Sequence, residues 1–107
     1  MRTIFLLSIL LSSVAFAGQQ TGTVSWVEVR ASDGLVYFGL SGEAATGQPP
    51  CATQSYWMIR DENSNSGRLQ YSMLLSAQAS GKHVSVVGMN TCIRWSDGED
   101  VNSLKVK

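Results

Sequence analysis

Four groups of residues in this chain are of types that could carry chemistry. Cys51 and Cys92 are its only cysteines, and a thiol pair can close a disulfide, stay buried as free thiols or share a metal ion. His83, the single histidine, is the one imidazole that general acid–base catalysis could use. Asp97-Gly98-Glu99-Asp100 offers the oxygen donors a calcium ion takes. Its acids miss the alternating positions of a calcium loop, so the run reads as a charged turn between strands. Trp26, Trp57 and Trp95 complete the set: an exposed ring can stack on the apolar face of a sugar, and a buried one is core.

The N-terminal residues decide the first group. Arg2, an apolar run from Ile4 to Leu11 broken only by Ser8, and the small-x-small triplet Ala15-Phe16-Ala17 have the form of a signal peptide over 1–17. The run is shorter than the ~20 residues a helix needs to span a bilayer, and no stop-transfer segment follows, so no membrane insertion is expected. The expected destination is secreted or periplasmic. In an exported chain this small, two cysteines point to one disulfide, Cys51–Cys92, since two distant thiols and one histidine lack metal-finger spacing. A mature domain over 18–107 buries only about two-thirds of its unfolded surface. Linking residues 41 positions apart would remove about 4 kcal/mol of unfolded-state entropy, a large share of its stability.

Charge excludes several partners. Lys and Arg number 8 and Asp and Glu 8, and losing Arg2 leaves the mature chain one charge to the acidic side. No basic run exists, so neither a nucleic-acid footprint nor a polybasic membrane patch is expected. There is no G-x-S-x-G elbow, phosphate loop or H-E-x-x-H helix either. His83 reads as a solvated strand residue just after a helix stop. The chain is expected to be no enzyme and to need no cofactor.

The elements that position these residues follow from patterning. Gly18 to Gly22 reads as a polar leader, and 23–31 is a strand rich in β-branched residues. Its apolar phase changes: Val24 and Trp26 share one face, Val27 and Val29 the other, as at a bulge or strong bend. Ser32-Asp33-Gly34 is a turn into a second strand over 35–40. A Gly- and Pro-rich loop leads to Cys51 and a third, mostly apolar strand over 55–60. The loop 61–67 has no apolar content, and Asn65 and Ser66 are its candidate helix N-caps. A helix over 68–80 lines Leu69, Met73 and Ala77 along one face, widened by Leu74 and Leu75, and stops at Gly81. A fourth strand, 82–89, turns Val84 and Val86 inward and His83 and Ser85 outward. The last, 100–106, places Leu104 and Val106 on one face. Three strands, a helix and two strands, with a bent first strand, form the pattern of a mainly β, five-stranded OB-fold barrel with the helix between strands three and four. A small β-sandwich is the alternative. At the entrance to the first strand, Thr21, Thr23 and Ser25 are uncharged hydrogen-bonders suited to a glycan, and edge-strand solvation accounts for them equally well.

Several stretches resemble the receptor-binding B subunits of the subtilase-cytotoxin and pertussis-like AB toxins, and small exported bacterial proteins similar to them. They are Thr21-Gly22, Val36-Tyr37-Phe38, Cys51-Ala52 with Trp57, Ser80-Gly81-Lys82 before Val84, and Cys92 with the segment from Trp95 to Val101. The resemblance implies an OB-fold that assembles as a pentameric ring and binds cell-surface glycans. It places Thr21 where the subtilase type has a sugar-contacting serine. Gly88 and Met89 stand where that type has an aromatic residue. The favoured expectation is therefore an exported, non-enzymatic, ring-forming glycan-binding module. The runner-up is a small periplasmic structural or interaction protein, an inhibitor or envelope-stress factor, that meets a protein partner through the loop 61–67.

Overall fold

A computed structural model describes residues 17–107, so the expected signal peptide lies outside the described residues except for Ala17. Five strands and one helix follow in the order β1 (Gln19–Val29), β2 (Val36–Gly42), β3 (Trp57–Met58), α1 (Asn65–Ser80), β4 (His83–Gly88) and β5 (Glu99–Val106). The strands close into a barrel in the order β1-β2-β3-β5-β4, an OB-like architecture with its helix between β3 and β4.

Closure depends on the length of β1. Its first half, Gln19 to Thr23, pairs antiparallel with β4, and Gly22 to Val29 pairs with β2. The register on β2 shifts between Val24 and Trp26, which is the bulge that the phase change in the sequence calls for. The bulge separates two residues expected on one face. Val24 is buried, Val27 packs against the core, and Trp26 is 38% exposed on the outside. Strand β1 also begins earlier than expected, because Gln19 to Gly22 is ladder rather than leader.

The third strand is the opposite case. Only Trp57 and Met58 are ladder residues, antiparallel to β2 and parallel to β5. They and Ile59 are nonetheless almost wholly buried, with Phe38, Val84, Val86 and Val101. Trp57 sits in the interior, where its Nε1 donates to Gln20 Oε1 at 2.7 Å. That bond satisfies the polar tip of a buried indole.

Helix α1 starts three residues before the expected position. Ser64, not Asn65 or Ser66, is the N-cap, and its Oγ accepts from the Gly67 amide at 3.0 Å. Gly81 ends the helix in the left-handed conformation, at φ 66°. The buried face carries Gly67, Leu74 and Ala77, with Tyr71 packed beside them, whereas Leu69 and Leu75 face solvent. Gly67 sets that rotation. A Cβ there would lie 1.9 Å from the Asp61 carbonyl oxygen, so only glycine lets the first turn press against the preceding loop.

Candidate binding surface

The bulge in β1 creates an aromatic ridge on the barrel's outer wall. Trp26 lies over Gly39 of β2, where an added Cβ would meet its Nε1 at 2.3 Å. The indole meets the Tyr37 ring edge-on at 5.4 Å and 83°, and Tyr37 meets Tyr56 at 5.5 Å and 66°. Edge-to-face pairs of this kind hold one another without closing their outer faces. Tyr56 donates its hydroxyl to Asp97 Oδ1. Burial first, and that carboxylate second, push the Tyr56 phenol up to about 12. The ridge therefore presents one half-open indole backed by two anchored rings.

The candidate glycan residues flank it on the same wall. Thr21 Oγ1 and Ser85 Oγ share a hydrogen bond of 3.0 Å across β1 and β4. Thr23 stands opposite His83 on one side and Ser41 on the other. Ser25, inside the bulge, donates to the Gly39 carbonyl at 2.9 Å and keeps its lone pairs free. The three thus alternate along one strand, and Ser25 adjoins Trp26 in the bulge. His83 is exposed, as expected, and adds an imidazole to the strip.

At the end of the barrel where the loops gather, the structure departs most from expectation. Asp97 is in the turn, but Glu99 and Asp100 are both 0% exposed, so the acidic run is not a solvated turn. Asp100 accepts from Thr91 Oγ1 and the Ile93 amide through Oδ2, at 2.7 and 2.8 Å, and from the Arg94 amide through Oδ1, at 3.1 Å. Arg94 grips Glu62 with Nε and Nη2, at 3.0 and 2.9 Å, and donates to the Asp33 carbonyl at 3.0 Å. That fork holds the Glu62 carboxyl below the usual carboxylate range and raises the Arg94 guanidinium further. Arg30 stacks 4.3 Å over the Trp95 ring, which is 38% exposed. The Cys51–Cys92 disulfide, with Cα atoms 6.2 Å apart, ties this loop to the one before β3.

Patterning does not mark Tyr37 or Tyr56 as site residues, and it reads Glu99 and Asp100 as part of a charged turn, whereas both acids are buried. Tyr37 alternates outward beside inward Phe38, a signal open to a period-2 reading. Nothing in the spacing marks the burial of two consecutive acids. A cleft of about 270 Å³ lies beside the start of α1, between Arg60, Asp61, Gln70, Met89 and Asn102. Among the described residues, no group of three or more His, Cys, Asp or Glu gathers as metal ligands, and no helix is long and apolar enough to cross a membrane.

Fold and surface together define an OB-like barrel with an aromatic and hydroxyl-lined outer wall. Comparison with models of protein families, with curated proteins and with solved structures gives no match.

Proposed function

We propose that this protein is an exported, non-enzymatic binding module whose outer wall takes a neutral or weakly charged glycan. The observation that carries the reading is the half-open Trp26 ring on the same strand as the hydroxyls of Thr21, Thr23 and Ser25. A pyranose has an apolar face for the indole and equatorial hydroxyls for neutral donors and acceptors, and that combination lines this wall. The disulfide suits an oxidising compartment. The resemblance to toxin B subunits adds a homo-oligomeric, pentameric ring, which would present several copies of a weak site to one cell surface. A glycan array, followed by quenching of tryptophan fluorescence with the best sugar, tests the reading. Binding lost in Trp26→Ala supports it, and an array without signal removes it. Light scattering tests the ring, and a strict monomer counts against it.

The second reading, a periplasmic protein-interaction module, draws on the cleft beside α1, where the 61–67 segment forms one wall and Met89 is 40% exposed. A stoichiometric protein captured from envelope extract by the wild type, but not by a Met89→Asp variant, favours that reading over the lectin.

A further inference from the structure

We propose that cleavage after Ala17 turns the Gly18 nitrogen into an ammonium that ion-pairs with the buried Glu99 carboxylate, so that removal of the leader completes the barrel interior. Glu99 is 0% exposed, and its Oε2 accepts from the Gly18 and Asn90 amides, each at 3.0 Å. Its other oxygen, Oε1, is buried with no hydrogen-bond partner. Among the described residues the ion pairs are Arg30–Asp33 and Arg94–Glu62, so no cation answers this carboxylate. A carboxylate so placed has lost its water and gained two neutral donors, a poor exchange for a charge.

The pocket is shaped around this carboxylate by two glycines. A Cβ on Gly18 would lie 2.2 Å from Oε1, and one on Gly88 would lie 1.8 Å from Oε2. The Gly18 nitrogen is fixed from both sides: its own carbonyl accepts from the Gly88 amide at 2.8 Å, and Gln19 bridges to Thr46 at 2.8 and 2.9 Å. Gly18 is buried while Ala17 is half-exposed, so the chain enters the interior at the bond the small-x-small triplet marks for cleavage.

Hydrolysis of the Ala17–Gly18 amide by water leaves a carboxylate on Ala17 and an amine on Gly18, which takes up a proton. One N–H becomes three, and a positive charge appears 3.0 Å from Oε2. A second proton is available to the empty Oε1. Gln48 packs its Cγ against the same glycine and has a buried, unpartnered amide nitrogen, so its amide is free to turn its oxygen to the third. The inference uses the export reading only through the cleavage position, and the measurements below separate the two.

The protein is exported from a bacterial host, its intact mass is measured, and the native protein is labelled with an amine-acylating reagent at neutral pH. The expected mass places the terminus at Gly18. A free α-amine ionises near ~7.7–8.0, so an ion-paired one should label at least about tenfold more slowly than in denaturant. In Glu99→Gln, which keeps the shape and removes the charge, labelling speeds up. A chain with one extra residue before Gly18 should lose stability in the wild type but little in Glu99→Gln, a non-additive pair. Should Glu99→Gln fail to fold, native against denatured labelling and the extended wild-type chain decide the matter. A retained leader or another terminus overturns both the cleavage and the pair. A Gly18 terminus that labels as fast as in denaturant, or an extension that costs nothing, overturns the pair alone.

Discussion

Glu99 and Asp100 are neighbours on β5, equally buried, and differently provided for. Asp100 finds its donors in its own loop, at Thr91, Ile93 and Arg94, all within 9 positions. Glu99 has one oxygen held by Gly18, 81 positions away, and by Asn90, and one held by nothing. The first is a local clamp that a folded loop satisfies by itself. The second takes one donor from its own neighbourhood and the other from the entrance to β1, and is still left with an unpartnered oxygen. Burial alone therefore does not tell what an acid does, since the number and origin of its donors decide it.

The strongest way to break that contrast is through the disulfide. Cys92 lies between Thr91 and Ile93, so the bridge and the Asp100 carboxylate fix the same loop. Opening the bridge in Cys51→Ser/Cys92→Ser should cost about 4 kcal/mol, read from the shift of the urea midpoint. Asp100→Ala strands a hydroxyl and two amides and should cost about 3 kcal/mol by the same measurement. Combined, the changes should fall short of their sum, because whichever goes first frees the loop the other holds. Full additivity would show that Asp100 acts apart from the bridge and that the clamp is not local.

A weaker effect is expected at the outer wall. Trp26→Ala removes the edge contact with Tyr37 and the cover over Gly39, but leaves the interior intact. It should cost about 1 kcal/mol of stability and abolish the proposed sugar binding. A large loss of stability with binding retained would move Trp26 from the site to the scaffold.

What the sequence disclosed divides along the same line between local and distant causes. The phase change at Val24, Trp26 and Val27 is a local pattern, and it foretold the bulge, although not that Trp26 would turn outward. The inward Val84 and Val86 of β4 and the stop at Gly81 were equally plain. The helix face was not, because apolar spacing favours Leu69 while a close backbone approach at Gly67 decides the rotation. Strand β3 is shorter than its apolar run predicts, since that run is buried by the barrel and not by ladder pairing. The acids at 99 and 100 look like a solvated turn because nothing in their own pattern shows that the preceding segment folds back onto Asp100 or that Gly18, at the entrance to β1, reaches Glu99. For Glu99 no local window along the chain contains that information, since Gly18 lies 81 positions away. Of the candidate site, Thr21, Thr23, Ser25 and Trp26 were visible as residue types, while their gathering on one wall needed the bulge and both neighbouring strands.

The smallest effect sharpens the description of the outer wall. The Tyr56 phenol stays protonated to about 12, through burial and then through the hydrogen bond to Asp97. An unfolded tyrosine ionises near ~10. A raised value favours the neutral phenol in the folded chain, so its stabilisation is whole below pH ~10 and is lost as the pH rises towards 12. Titration of phenolate absorbance should show a late step that disappears in Tyr56→Phe and moves to lower pH in Asp97→Asn. The second shift isolates the part owed to the carboxylate, because the amide still accepts the hydroxyl but no longer repels the phenolate. A late step unmoved by Asp97→Asn would assign the whole effect to burial. The ridge would then be held by ring packing alone, with no part for the acidic turn, in contrast to the loop that Asp100 holds with charge.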